Sequence, residues 1–220
     1  MLLNTKIPLR VRATQGSPSR RVSVTTRRPA VKYRAPKTKT SQHGAQTMEV
    51  YQAIKSRRTV RDYKPDPIPE DLLWKILQAA RWSPSSSNTQ KWGFIVVQDR
   101  DTLAKLGEIA KQGPFVGQAP LCIAVVMDDA PRPQLDAGRA LQQMELMAWS
   151  EGVGMCFVGV RDDDQQKAVK ELLGIPEQME LITLLPFGYQ ADTPKPPGTP
   201  RKAMNEIIHW ERFGETAQAR

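Results

Sequence analysis

The apolar positions of the chain follow two patterns, which together predict helices packed against a sheet. Four continuous apolar runs, rich in Val, Ile and Phe and bounded by Gly, Pro or Asp, predict strands covered on both faces at 92–97, 121–127, 153–158 and 181–187. Segments with apolar residues at helical spacing precede and separate these runs, at 48–58, 69–81, 102–111, 134–151 and 162–173. The order of these elements predicts a helix-covered sheet.

Residues 1–47 differ in composition from the rest of the chain. They contain eleven Lys and Arg, no acidic residue and scattered prolines, so the net charge of +9 belongs to this segment. Such a composition cannot bury enough apolar surface to offset the entropy of ordering. We therefore expect 1–47 to be a disordered basic N-terminal extension and 48–220 to be the folded domain.

Three explanations of the extension remain open. Met48 is the natural start and the upstream residues extend the reading frame, or the extension is a tail with some affinity for nucleic acid or acidic surfaces. The third explanation is an organellar transit peptide, because the segment is acid-free and rich in Arg and Ser.

Cysteine and histidine usage excludes several classes of protein. Cys122 and Cys156 lie far apart inside apolar runs, and the chain has two histidines, which excludes a disulfide framework and a zinc ribbon. No stretch reaches the roughly 18 apolar residues of a membrane span, and the mean hydropathy is −0.49. We expect a soluble, cytoplasmic protein without a metal site.

Common catalytic motifs are missing from the sequence. It has no Walker A, GxSxG or HExxH pattern, and Gly152 and Gly154 lack the spacing of a dinucleotide fingerprint. The one histidine of the domain lies near its C-terminal end, which argues against a Ser-His-Asp or Cys-His hydrolase. If the protein is an enzyme, a cofactor carries its chemistry.

The first positive signal is the arginine segment, residues 57–61, with the sequence RRTVR. Three guanidinium groups and a hydroxyl within five residues can converge on a phosphate, since arginine offers two parallel donors to an oxyanion. Alternatively, Arg57 and Arg58 only complement the negative C-terminal end of the preceding helix.

The second signal is the serine loop, residues 83–90, with the sequence SPSSSNTQ between a helix and a buried strand. Its hydroxyl and amide groups can hydrogen-bond a polar heterocycle. The same composition also occurs in ordinary turns, so the loop alone leaves both interpretations open.

Four stretches in order resemble the FMN-dependent nitroreductase family. They are RRTVRDY, LLWKILQAARWSPSSSNTQKWGFIVVQD, LDAGRALQQMELMAWSEGVGMCFVG and LLPFGYQADTPKPPGTPRKAMNEIIHWE, and they span almost all of 48–220. The sequence departs from the family pattern at Lys91, where proline is usual, and in the short loop DDAPRPQ after Met127.

The resemblance implies an α+β nitroreductase-like fold with a central mixed sheet of four to five strands flanked by helices. It also implies an intertwined homodimer with FMN at each subunit interface. NADH or NADPH reduces the flavin, which then reduces a small electron-poor acceptor such as a nitroaromatic or quinone. Water can supply the protons, so we expect no catalytic side chain.

The resemblance also assigns the residues that bind FMN. The phosphate and ribityl side is expected to contact Arg57, Arg58, Thr59 and Arg61, with Arg201 as a second phosphate arginine from the C-terminal segment. Backbone amides at Gly159 and Val160 are expected near the reactive nitrogen of the flavin ring. A wall from the partner subunit is expected to comprise Ser83, Pro84, Ser85, Ser86, Ser87 and Asn88.

Two other functions remain open at this point. The same fold supports other flavin reactions, such as reductive dehalogenation. The protein could instead be a non-catalytic binding module that recruits polyanions through its basic tail.

Overall fold

The computed structural model describes residues 48–193 and 198–216, so the predicted extension at 1–47 lies outside the described residues. The helices are α1 (Val50–Ser56), α2 (Glu70–Arg81), α3 (Arg100–Ile109), α4 (Pro133–Ser150), α5 (Asp163–Leu173) and α6 (Met204–Ile207). The strands are β1 (Trp92–Val97), β2 (Leu121–Asp128), β3 (Val153–Met155) and β4 (Met179–Tyr189). No helix within these residues is long and apolar enough to cross a membrane.

The strands form one sheet in the order β1-β2-β4-β3, and each neighbouring pair is antiparallel. The predicted four strands with flanking helices are confirmed, but the expected mixed sheet is wrong for the described strands. Burial on both faces does not reveal strand direction, because antiparallel strands between two layers of helices are as apolar as parallel ones.

Two hydrophobic cores cover the two faces of this sheet. One lies between the sheet and helices α2 and α4, and the other between the sheet and helices α3 and α5. Strand β2 contributes alternate residues to each core, with Ile123 and Val125 on one side and Cys122 and Ala124 on the other. This alternation explains its continuous apolar run.

Strand β3 is shorter than its apolar run predicts. It ends at Met155, after which Phe157 is half exposed and Val158 pairs with Leu184 through an isolated bridge. Cys156, Val158 and Val160 are apolar because they enter the second core, not because they extend a regular ladder. The other predicted elements agree with the structure to within three residues at each end.

Gly154 permits the arginine segment to lie against β3. A Cβ at this position would collide with the side chain of Val60. We expect Gly154→Ala to lower the free energy of unfolding by about 2 kcal/mol, as overpacking does. It should also weaken the binding of any ligand that the arginines hold. Urea denaturation measures the first effect.

Gly138 in helix α4 offers a control for that substitution. No atom lies within 4 Å of a Cβ built there, so Gly138→Ala should raise stability by about 0.5–1 kcal/mol through helix propensity. A neutral Gly154→Ala would contradict the close approach of Val60.

Candidate functional site

The arginine segment lies along the outer edge of β3. Thr59 forms an isolated parallel bridge with Met155, and the amide of Val60 donates to the carbonyl of Met155 at 3.0 Å. The buried hydroxyl of Tyr63 donates to the carbonyls of Val60 at 2.6 Å and Pro186 at 3.2 Å, and burial raises its pKa strongly. These contacts hold the segment's backbone against the sheet.

Arg57 forms an ion pair inside the fold. Its Nη1 lies 2.9 Å from Oε1 of Glu145 on α4, and the two side chains are 21% and 10% exposed. Its other guanidinium N–H groups have no acceptor among the residues that the structure describes. They are available to an anionic ligand.

Arg58 complements the C-terminal end of helix α1, which is the alternative role that the sequence offers for it. Its Nη1 donates to the carbonyls of Lys55, Ser56 and Arg57 at 3.0–3.2 Å, which satisfies the last turn of α1. A Cβ at Gly198 would lie 3.3 Å from its Nε, so the C-terminal segment passes close to this guanidinium. Arg58 therefore caps the helix and also faces the segment that leads to Arg201.

Arg61 is exposed and lies near Cys156. Burial raises the pKa of the Cys156 thiol, and the charge and hydrogen bond of Arg61 partly offset that effect. Cys122 is buried more deeply, and burial raises its pKa to about 12. Both thiols are neutral near pH 7.

Gly159 and Val160 come directly after Val158, which pairs with Leu184 on the side of β4 that also carries β3. The side chain of Val160 is buried and its carbonyl accepts from Gln166 Nε2 at 2.8 Å. Neither backbone N–H of these two residues donates to an acceptor in the described ranges. Two unpaired amides on the sheet edge that carries the arginine segment suit a ligand that combines an anion with a polar ring.

Arg201 is exposed, and its side chain forms no hydrogen bond or ion pair with the described residues. Gly198, which lies beside the Arg58 guanidinium, precedes Arg201 by three residues, so the backbone at Arg201 lies within roughly 11 Å of Gly198. This reach is compatible with the predicted second phosphate contact, which stays a prediction.

The serine loop is fixed to the start of helix α4 by Asp136, a fully buried carboxylate. Its two oxygens accept from the backbone N–H of Ser86 at 2.9 and 3.1 Å, and Oδ1 also accepts from Ser86 Oγ at 3.1 Å. Ser87, Asn88 and Gln90 have positive φ angles of 50–56°, a costly conformation for residues other than glycine. The Asp136 contacts stabilise this loop geometry.

The other loop residues are placed differently. Pro84, Ser87 and Asn88 are exposed, and Ser85 Oγ accepts from the amide of Gln90 at 3.0 Å. Ser83 is buried, and its Oγ has no hydrogen-bond partner among the described atoms. Its inward position makes Ser83 the weakest of the predicted wall residues.

Within one chain the arginine segment and the serine loop are separate. Glu145 contacts the arginine segment and Asp136 contacts the serine loop. These two carboxylates are nine residues apart on α4, which places them about 13.5 Å apart along the helix axis and half a turn apart around it. The two predicted halves of the site therefore lie on opposite sides of α4.

Sequence reasoning missed these two carboxylates. Asp136 and Glu145 flank the apolar face of α4 on its two sides, next to Ala137 and Met144, and both are buried. An acidic residue flanking an apolar helical stripe is a detectable signal, because a buried carboxylate requires donors.

A concavity of about 680 Å³ opens beside the arginine segment. Its one lysine, Lys64, already contacts Asp192 at 2.9 Å, and Asp66 also lines it. It lacks a cluster of unpaired donors, so it suits a phosphate less well than the edge at Arg57. It is lined by Met48, Ser56, Lys64, Asp66, Trp149, Gly152, Gly154, Tyr189 and Gln190.

Comparison with known proteins agrees with this fold. The Nitroreductase family model matches residues 54–130 and 110–189. A candidate NADH dehydrogenase/NAD(P)H nitroreductase from Methanothermobacter thermautotrophicus is 35% identical over 172 residues, which cover 76% of this chain and 88% of the relative. An FMN reductase [NAD(P)H] from Bacillus subtilis is 28% identical, with 71% and 72% covered.

Solved structures give the same result. An FMN-dependent nitroreductase from Clostridium difficile superposes with a TM-score of 0.68 at 30% identity, covering 74% of this chain and 99% of that one. The family model matches more than half of the chain, and the fold agrees. The chain belongs to the nitroreductase family.

Proposed function

We propose that the protein is an FMN-dependent NAD(P)H oxidoreductase that reduces a small electron-poor acceptor, such as a nitroaromatic or quinone. The observation that carries this proposal is the set of unpaired donors at one edge of the sheet: the Arg57 guanidinium and the amides of Gly159 and Val160. Relatives named as NAD(P)H nitroreductase, FMN reductase and FMN-dependent nitroreductase support it.

The donor set fits the two chemical parts of FMN. Arg57, Arg58 and Arg61 supply positive charge for the phosphate, Thr59 supplies a hydroxyl, and Arg201 approaches from the C-terminal segment. The amides of Gly159 and Val160 are hydrogen-bond donors for the ring. FMN, when bound, accepts hydride from NAD(P)H and passes reducing equivalents to the acceptor.

We propose that the active form is a homodimer. The serine loop of one chain lies on the opposite side of α4 from its own arginine segment, so a second chain would supply the loop that completes each site. Apolar side chains on α1 support this proposal, because Val50, Tyr51 and Ile54 are 55–68% exposed in one chain. A partner chain would cover the apolar face that the sequence predicts for this helix.

The residues of the site bind and orient rather than transfer protons. The buried thiol of Cys156 and the buried hydroxyl of Tyr63 keep their protons at neutral pH, since burial raises the pKa of each. The Tyr63 hydroxyl also donates hydrogen bonds to the carbonyls of Val60 and Pro186. Protons for the reduced acceptor therefore come from water in this proposal.

The experiment is anaerobic reduction of the full chain reconstituted with FMN. We expect flavin absorbance near 450 nm that bleaches with NADH or NADPH and returns when a nitroaromatic or quinone is added. Iodotyrosine is tested in parallel, since reoxidation by it alone would replace the proposed acceptor with reductive dehalogenation. A chain that takes up no FMN would contradict the proposal and favour the polyanion-binding alternative.

A further inference from the structure

Glu145 is a carboxylate in an unexpected place. It lies on helix α4 between the buried residues Met144 and Ala148, and its side chain is 10% exposed. Its partner Arg57 is a residue proposed to bind an anionic cofactor. A fixed negative charge 2.9 Å from that guanidinium weakens its electrostatic attraction for a phosphate. Glu145 must therefore make another contribution to the site that offsets this loss.

The geometry of the pair identifies that contribution. An arginine has five N–H donors in a rigid plane, and Glu145 engages Arg57 through Nη1 alone. The remaining donors have no acceptor within the described part of the chain. The carboxylate therefore holds the guanidinium at one corner and leaves the rest of its donors for a ligand.

Glu145 is itself held in place. Its Oε2 accepts from Gln142 Nε2 at 3.1 Å, one turn earlier on the same helix. Helix α4 packs against both α2 and the sheet through its buried face. Arg57 is thus fixed to the most extensively packed helix at the site, although it follows the short helix α1.

The neighbouring arginines are oriented differently. Arg58 is bound to three carbonyls of α1, and Arg61 is exposed beside Cys156. Neither forms an ion pair among the described residues. Arg57 is the arginine of the segment that combines low exposure, a fixed position and unused donors.

We propose that Glu145 is a positioning residue, which orients Arg57 in advance toward the phosphate of FMN. This inference rests on the proposed function. Pre-orientation favours binding because a long side chain then loses little conformational freedom when the ligand arrives. The benefit exceeds the weaker attraction because the salt bridge fixes the angle of a planar donor group.

The test compares FMN with riboflavin, which lacks the phosphate, in the full chain. Glu145→Gln keeps the shape and one acceptor but replaces a charge-assisted hydrogen bond with a weaker neutral one. We expect the Kd for FMN, from flavin fluorescence quenching, to rise about tenfold. The Kd for riboflavin should change less than about twofold.

A double-mutant cycle shows whether the effect passes through Arg57. In an Arg57→Gln background, Glu145→Gln should cause no further loss of FMN affinity. Glu151→Gln is the matched control, since it makes the same change at the residue that ends the same helix and removes an exposed bridge to Lys75. Gln142→Met removes the donor to Glu145 Oε2 and keeps the charges of Arg57 and Glu145. It should therefore weaken FMN binding, as Glu145→Gln does.

The possible outcomes separate this inference from the proposed function. If the wild-type chain binds FMN and Glu145→Gln binds it equally well or more tightly, the positioning role is wrong and the function stands. Equal losses for FMN and riboflavin would also contradict the inference, because they indicate a general disturbance of the site. A wild-type chain that binds no FMN would overturn the proposed function and this inference with it.

Discussion

Replacing Arg57 by glutamine should reduce FMN affinity on the order of 100-fold and also destabilise the fold. The ligand loses a charge-assisted hydrogen bond of about 1.5–3 kcal/mol. The protein is left with Glu145, 10% exposed, without its cation. Breaking a buried ion pair by removing one partner costs about 3–5 kcal/mol, and the partial exposure of Arg57 places this site at the lower end. Isothermal titration and urea denaturation measure the two losses.

The two losses have different causes, so a second substitution separates them. Adding Glu145→Gln to Arg57→Gln removes the unpaired carboxylate, and we expect most of the lost stability to return. FMN affinity should stay low, because the guanidinium is still missing. Recovery of both properties together would contradict the assignment of Arg57 to the ligand.

Replacing Asp136 by asparagine should release the serine loop. Ser86 presents its backbone N–H and its hydroxyl to the two carboxylate oxygens, and an amide group offers one oxygen and two further donors. A buried donor left unsatisfied costs about 1–3 kcal/mol. The loop contains three residues with positive φ, whose conformation then loses its main support. We expect FMN affinity to fall by roughly 30-fold, equivalent to about 2 kcal/mol.

Limited proteolysis distinguishes loop release from unfolding. Cleavage of the Asp136→Asn variant should begin within 83–90 while its far-ultraviolet circular dichroism stays close to that of the parent. Arg139→Gln is the control on the same helix, since Arg139 contacts Asp136 at 3.5 Å from an exposed position. If Asp136→Asn retains parental FMN affinity, the serine loop does not contribute to the site.

The elements of the fold were predictable because the buried face of a helix or strand has a characteristic spacing of apolar residues. Strand β1 matches its predicted range, and α4 matches to within one residue at each end, since its stripe from Ala137 to Ala148 is long and regular. Strand direction was not predictable, because both faces of β2 are buried whichever way its neighbours run. The run 153–158 overstated β3, since its apolar residues pack into the second core after the ladder ends.

The site was predictable in its residue types and not in its pairing. The sequence of the arginine segment indicated a cluster of positive charge. Its spacing did not show that Arg58 caps a helix whereas Arg57 pairs with Glu145. The partners Asp136 and Glu145 are 50 and 88 positions from Ser86 and Arg57 along the chain. Contacts over such separations depend on how α4 packs, which local patterns do not report. Thus the cluster of charges was visible in the sequence and its orientation was not.

The central claim is that each FMN lies between the arginine segment of one chain and the serine loop of another. The direct measurement is FMN content of a heterodimer, purified through two different tags after co-expression, that combines one Arg57→Gln chain with one Asp136→Asn chain. A shared site predicts one FMN per heterodimer at parental affinity, because one interface receives both intact halves and the other receives both altered ones. Sites contained within single chains predict weakened binding at both positions of the heterodimer, and that result would contradict the account.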